Sequence, residues 1–202
     1  GHGLGSTPQV IIIKNRSATF SWEFGHSSIG FTKKLKLDTT SAEITDTGAF
    51  NNTAPTSSVY TVGNNSSSNG SGNNMIAYCF ANKQGAVKCG SYTGNGSSSD
   101  GTFVYTGFRP AWIMRKNTDG GVTENWVIED NKRNTFNPAN EWLAADSSGA
   151  EGANNFDTDF LSNGFKMRSN NDGTNRSGTN YIYMAIAEAP FVNSNGVPAN
   201  AR

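Results

Sequence analysis

Two histidines, His2 and His26, are the side chains of this 202-residue chain suited to proton transfer near neutral pH. His2 falls in an N-terminal stretch expected to fray, and His26 in the loop expected after the second strand. No Gly-x-Ser-x-Gly elbow accompanies either, so both are read as non-catalytic. Carboxylates are more numerous: Glu23, Asp38, Glu43, Glu129, Asp130, Glu151, Asp157 and Asp159 could supply the acid–base pair of a glycosidase. The run Asn170 to Asn175 is oxygen-rich, but it lacks the spaced acidic ligands and distal Glu of a calcium loop. Turn formation accounts for it, and no metal or cofactor is expected. Cys79 and Cys89 flank the turn Asn82 to Ala86, and a hairpin centred on Gln84 would set them opposite each other. A cross-strand disulfide and two free thiols both stay open.

The elements that position these groups come in two copies. Gly5 to Asn15 aligns without gaps on Gly107 to Asn117, with Gly, Pro, Lys and Asn recurring at the same offsets. Asn69 to Ala81 aligns on Asn175 to Ala187, Trp22 on Trp126, and Asp38 to Glu43 on Asp146 to Glu151. Duplicated carboxylates suit a repeated turn or cap better than a single active site. Hydrolysis is therefore set aside, and the chain is expected to be no enzyme.

Each copy reads as strands. Val10 to Ile13 and Ala111 to Met114 are apolar runs after Gly and Pro, followed by Ser21 to Phe24 and Asn125 to Ile128. A segment through Leu35 and Leu37 comes next in the first copy. Val59 to Val62, or Phe165 to Met167, and then Met75 to Ala81 and Tyr181 to Ala187 complete the pattern. Two more strands, Val87 to Tyr92 and Thr102 to Tyr105, lie between the copies. The expected fold is all-β: two tandem, internally repeated β-sandwich or jelly-roll-like units. The first repeat covers 1–85, the connecting strands and Gly/Ser-rich loop 86–106, the second repeat 107–191, and a C-terminal arm 192–202.

Composition narrows the partners. Sixteen Lys and Arg balance sixteen Asp and Glu, which leaves no basic footprint for nucleic acid or anionic lipid. No apolar stretch is long enough for a membrane helix. The chain opens Gly1-His2-Gly3 without initiator Met or signal peptide, so a fragment of a longer protein is expected. Gly, Asn, Ser and Thr number 23, 26, 22 and 19, about 45% of the chain, and such neutral polar side chains suit hydroxyl-rich ligands when aromatic rings lie beside them. Trp22, Trp112, Trp126, Tyr78 and Phe80 sit in strand patterns and are assigned to the core. Phe136 and Trp142, with Arg133, lie in the loop-rich stretch 130–142 that distinguishes the second copy, and are the candidate receptor-binding residues.

Several motifs resemble a family of domains near the C-terminal end of phage virion proteins, described as tail-fibre or structural proteins in phages of aquatic bacteria. The resemblance rests on Gly3 to Arg16, Ile76 to Ala81, Gly90 to Gly96, Gly107 to Trp112 and Tyr181 to Glu188, and it extends over essentially the whole chain. It implies location in the virion, on a tail or other appendage, and a host-facing role in which the module binds a surface receptor, a glycan by the composition above. It also implies other virion proteins as partners and, by analogy with fibres, assembly as a homo-oligomer of three chains. The resemblance supplies no catalytic residues. A head-decoration, collar or fibre-shaft protein is the alternative, and a polysaccharide depolymerase a more distant one.

Overall fold

The β-branched run Val10-Ile11-Ile12-Ile13 makes a strand whose four side chains are all buried, so both of its faces are covered, and it is paired along both edges. The computed structural model describes residues 1–120 and 123–189, and they divide into two compact units, 1–81 and Asn82 onward. Nearly all regular structure is β. The first unit contains β1 (Val10–Asn15), β2 (Glu23–His26), β3 (Lys33–Lys36), β4 (Ile44–Thr45), the one-turn helices α1 (Thr47–Phe50) and α2 (Ser66–Asn69), and β5 (Met75–Phe80). Its antiparallel sheet runs β4-β3-β2-β1-β5. The core lies on one face, where Ile11, Ile13, Phe31, Ala49 and Phe50 pack together and Tyr60, Val62, Ala77 and Cys79 close in from the side.

The second unit contains β6 (Val87–Thr93), β7 (Phe103–Tyr105), β8 (Pro110–Asn117), β9 (Val127–Asp130), β10 (Ala139–Ala144), β11 (Gly152–Leu161), β12 (Gly164–Met167) and β13 (Asn180–Ala187). They form one sheet in the order β6-β13-β8-β9-β10-β11-β12-β7, curled until it is nearly a barrel. Contacts across the interior show the curl. Tyr92 on β6 meets Phe165 on β12 edge-on at 6.3 Å, and Arg115 on β8 donates to Thr158 on β11 at 3.0 Å. Tyr92 also stacks on Tyr181 at 5.0 Å, and Phe165 meets Tyr183 edge-on.

Five strands of the second unit share order and register with the five of the first. Ile12 faces Phe24 and Tyr78, as Met114 faces Ile128 and Met184. Phe24 faces Leu35 and Ile128 faces Leu143; Lys34 faces Ile44 and Trp142 faces Gly152. The side-chain caps match too. Asp38 accepts from the Trp22 N–H at 3.2 Å, and Asp146 accepts from the Trp126 N–H at 2.8 Å. Asn15 donates to the Ser66 carbonyl at 2.9 Å, and Asn117 to the Asp172 carbonyl at 3.1 Å.

Three expectations are corrected. Val59 to Val62 is not a strand; Tyr60 and Val62 fill the core from an irregular segment, and the chain is tied back where the Gly63 N–H donates to the Ala49 carbonyl at 3.2 Å. The residues around Gln84 do turn, yet β5 and β6 do not pair: Cys79 faces Ile11 and Cys89 faces Met184, and both thiols are free. His26 is not in a loop but ends β2, fully buried opposite Val10. The strands expected at Val87 to Tyr92 and Thr102 to Tyr105 are present as β6 and β7, the two edge strands of the eight-stranded sheet. The expected arm 192–202 lies outside the described residues.

Candidate functional site

The carboxylates considered for hydrolysis are mostly engaged in structure. Glu23 and Lys34 are buried together, with Lys34 Nζ 2.8 Å from Glu23 Oε2 and 2.6 Å from Asp46 Oδ2. Asp46 is also the N-cap of α1, accepting from Gly48 and Ala49 N–H. Burial favours the uncharged forms, but the ion pairs outweigh it, so the Lys34 pKa rises and the Asp46 pKa falls. In the second unit Glu129 pairs with Arg115 and accepts from Thr158 Oγ1 at 3.0 Å, all three fully buried. Glu43 pairs with Lys33, Asp159 with Arg168 at 3.4 Å, and Asp38 caps Trp22. Asp157 Oδ1 is buried without a hydrogen-bond partner among the described residues.

The stretch 130–142 is built differently. It leaves the end of β9 at Asp130, whose Oδ1 accepts from the backbone N–H of Lys132 at 2.8 Å and of Arg133 at 2.9 Å. These N–H groups and the Arg133 guanidinium overcome the effect of burial and hold the Asp130 carboxyl below its ordinary range. Arg133 bridges Asp130 at 2.7 Å and Glu151 at 3.3 Å. Asn134 Oδ1 accepts from Asn140 and Glu141 N–H, which stitches the loop to the start of β10. Asn137 imitates a strand neighbour: its amide accepts from the Phe160 N–H at 2.9 Å and donates to the Phe160 carbonyl at 3.0 Å. A cis bond joins Asn137 to Pro138. Between these anchored residues Phe136 is 85% exposed.

The three candidate binding residues thus have different situations. Phe136 is presented to solvent, and Arg133 spends its guanidinium on Asp130 and Glu151. Trp142 packs: its ring meets Phe156 edge-on at 4.7 Å and lies over Gly152, where a Cβ would come within 2.4 Å of Trp142 Cε2. Of the aromatics assigned to the core, Trp126 is buried, Trp22, Trp112 and Phe80 are half-buried, and Tyr78 is exposed, stacked on Trp22 at 6.4 Å. The Asn170 to Asn175 run is a turn, in which Asn171 Oδ1 accepts from the Gly173 N–H and its carbonyl from Thr174 and Asn175 N–H. Among the described residues no three His, Cys, Asp or Glu gather as metal ligands, and no helix is long and apolar enough to cross a membrane.

Sequence reasoning missed the two buried ionic clusters. Their signal lies in the register of the two units: Glu23 and Lys34 hold the places of Val127 and Trp142, while Arg115 and Glu129 hold those of Ile13 and Gly25. Each unit places charge where the other has uncharged residues, buried Val127 and Ile13 among them.

No curated protein and no solved structure matches the chain. A family model does, over residues 1–190, and its description is "Domain of unknown function (DUF7483)". With nearly the whole length matched, the chain belongs to the DUF7483 family.

Proposed function

We propose that this chain is a non-enzymatic recognition module of a phage virion, the C-terminal part of a tail fibre or related appendage, which binds a glycan or other receptor on the host surface. The observation that carries the reading is the loop around Phe136. An aromatic ring left 85% exposed on an anchored loop contributes little to the fold itself, whereas a bound partner can cover it. Side-chain hydrogen bonds from Asp130, Arg133, Asn134 and Asn137 fix the backbone on both sides of it, so little conformational entropy remains to be lost on binding. Asn140 and Asn154, joined by an exposed amide–amide bond of 2.7 Å, lie on the strands next to the loop and offer groups suited to hydroxyls. Phe136 supplies the apolar face, while Trp142 and Arg133 hold the platform.

The finer architecture is part of the same reading. The two units are tandem copies of one five-stranded design, supported by their common strand order, register and Asp–Trp caps, and the second copy has acquired β6, β7 and β12 together with the exposed loop. In the virion the chain acts as a homo-oligomer beside other structural proteins.

The test is binding of the labelled chain to a glycan array and to a panel of aquatic bacteria, with Phe136→Ala alongside. Phe136→Ala is expected to weaken saturable binding about tenfold or more while the fold is unchanged. Absence of binding to every cell and glycan, or binding indifferent to Phe136→Ala, refutes the reading. Release of reducing ends from a bound polysaccharide would replace it with hydrolysis.

A further inference from the structure

Strand β5 reads Met75-Ile76-Ala77-Tyr78-Cys79-Phe80, six residues without charge, Pro or Gly, paired with β1 along its whole length with no register shift. It is also an edge: among the described residues no strand lies on its other side. The other edges are blunted. Strand β4 has two residues, β7 has three, and β6 carries Lys88 and Gly90. Among the described strands, β5 alone leaves a long, regular, uncharged edge.

The second unit shows what such a strand looks like when covered. Strand β13 has the same register to β8 that β5 has to β1, but its outer edge carries β6 over seven residue pairs. Tyr181 to Ala185 are all buried, whereas their counterparts Met75 to Cys79 are all half-buried or exposed, with Tyr78 43% exposed. The direction of the free backbone groups follows from the ladder. Arg16 N–H donates to the Asn74 carbonyl, so the even-numbered residues of β5 turn their N–H and C=O toward β1 and Met75, Ala77 and Cys79 turn theirs outward. The outward set is symmetric about Ala77.

From this edge we propose that β5 pairs with β5 of a second copy of the chain, antiparallel, about a two-fold axis at Ala77. Ala77 then faces the partner's Ala77, and Met75 faces the partner's Cys79, so every outward residue meets another outward residue. About six new backbone hydrogen bonds form. A charged or proline-bearing strand matches this uncharged edge less well than the edge matches itself. Pairing closes at two chains and consumes both free edges, which prevents growth into a filament. The two-chain arrangement departs from the three chains that a fibre resemblance implies, and it stands independently of the role of Phe136.

Sedimentation velocity of the full chain between about 1 and 100 µM tests it, with Ala77→Pro and Tyr78→Lys as variants. Ala77→Pro removes one outward N–H and no bond to β1; Tyr78→Lys puts a charge at an exposed position of the edge. The expected result is a dimer of the 21.5 kDa chain whose dissociation constant rises at least tenfold in either variant. Hydrogen exchange should show Met75, Ala77 and Cys79 amides protected in the dimer and unprotected in Tyr78→Lys, with Ile76, Tyr78 and Phe80 protected in both. A wild-type monomer at 100 µM, a trimer, or a dimer insensitive to the variants overturns the proposal. If Ala77→Pro does not fold, Tyr78→Lys decides alone.

Discussion

Replacing Lys34 with Met tests whether the charge cluster inside the first unit is held by mutual compensation. Lys34 and Glu23 side chains are 4% and 2% exposed, and Met keeps most of the lysine volume. Packing therefore changes little. Glu23 retains the Ser67 hydroxyl but loses its cation, and breaking a buried pair from one side costs about 3–5 kcal/mol. Asp46, with its side chain 22% exposed, adds less because solvent reaches it. At about 4 °C per kcal/mol for a unit of this size, Tm falls by roughly 12 °C or more. The double variant Lys34→Met with Glu23→Gln removes the stranded charge and should recover at least half of the loss. Equilibrium urea denaturation followed by tryptophan fluorescence and circular dichroism reads both. pH adds a signature. The Asp46 pKa is lowered from 3.8, so its contribution is present above that pH and disappears as pH falls through the lower folded value. The Lys34 pKa is raised from 10.5, so its contribution is present below that pH and disappears as pH rises through the higher folded value. Wild type should show both limbs of this dependence, whereas Lys34→Met should lack the upper limb and show a weaker lower one, since the Gly48 and Ala49 N–H groups still favour the Asp46 carboxylate. A cost under about 1 kcal/mol for Lys34→Met, or a double variant no better than the single one, refutes the reasoning.

Other expectations rest on single side chains. Asp146→Ala removes the side-chain acceptor of the N–H of buried Trp126 and should cost about 1–3 kcal/mol, and Asp38→Ala less, because Trp22 is only half-buried; chemical denaturation compares the two. Trp142→Ala empties the space over Gly152 and beside Phe156, with a loss of roughly 2 kcal/mol or more, whereas Phe136→Ala should change stability by less than about 0.5 kcal/mol. Burial pushes the Cys89 thiol up to about 12, so in the native chain at pH 8 it should resist iodoacetamide and react once urea unfolds the protein, as peptide mass mapping would show.

The parts of the fold legible in sequence were those fixed by local chemistry. Val10 to Ile13 could be little else than a buried strand, and the strand patterns along the rest of the chain pointed to a nearly all-β fold before any pairing was known. The recurring Asp38 and Asp146 pointed to a structural cap, and each caps a tryptophan N–H. What escaped was set by distant partners. The turn at Gln84 has local hairpin chemistry, with Gly85 at φ +69°, but β5 pairs with β1 and β6 with β13, and a turn does not specify which strands its ends join. Val59 to Val62 alternates like a strand, yet Tyr60 and Val62 lie against a core already flanked by its sheet. At the candidate site, the stretch 130–142 stood out because the matching segments on either side of it have no such stretch between them in residues 1–81. Its sequence could not separate Phe136, which stays exposed among the described residues, from Trp142, which a glycine sixteen positions from Phe136 lets pack.

The place of β13 in the second sheet governs when that unit can form during synthesis. Among the described strands it is the last made, yet it lies between β6 and β8, so β6 lacks its ladder to β13 until residues 180–187 have left the ribosome. The β6–β13 pairing spans about ninety residues of chain, and such a long closure slows folding. Meanwhile β6 and the strands of the growing sheet expose apolar surface to their neighbours. A chain truncated before Asn180 would lose the strand that joins β6 to the rest, and should accumulate as an aggregating intermediate.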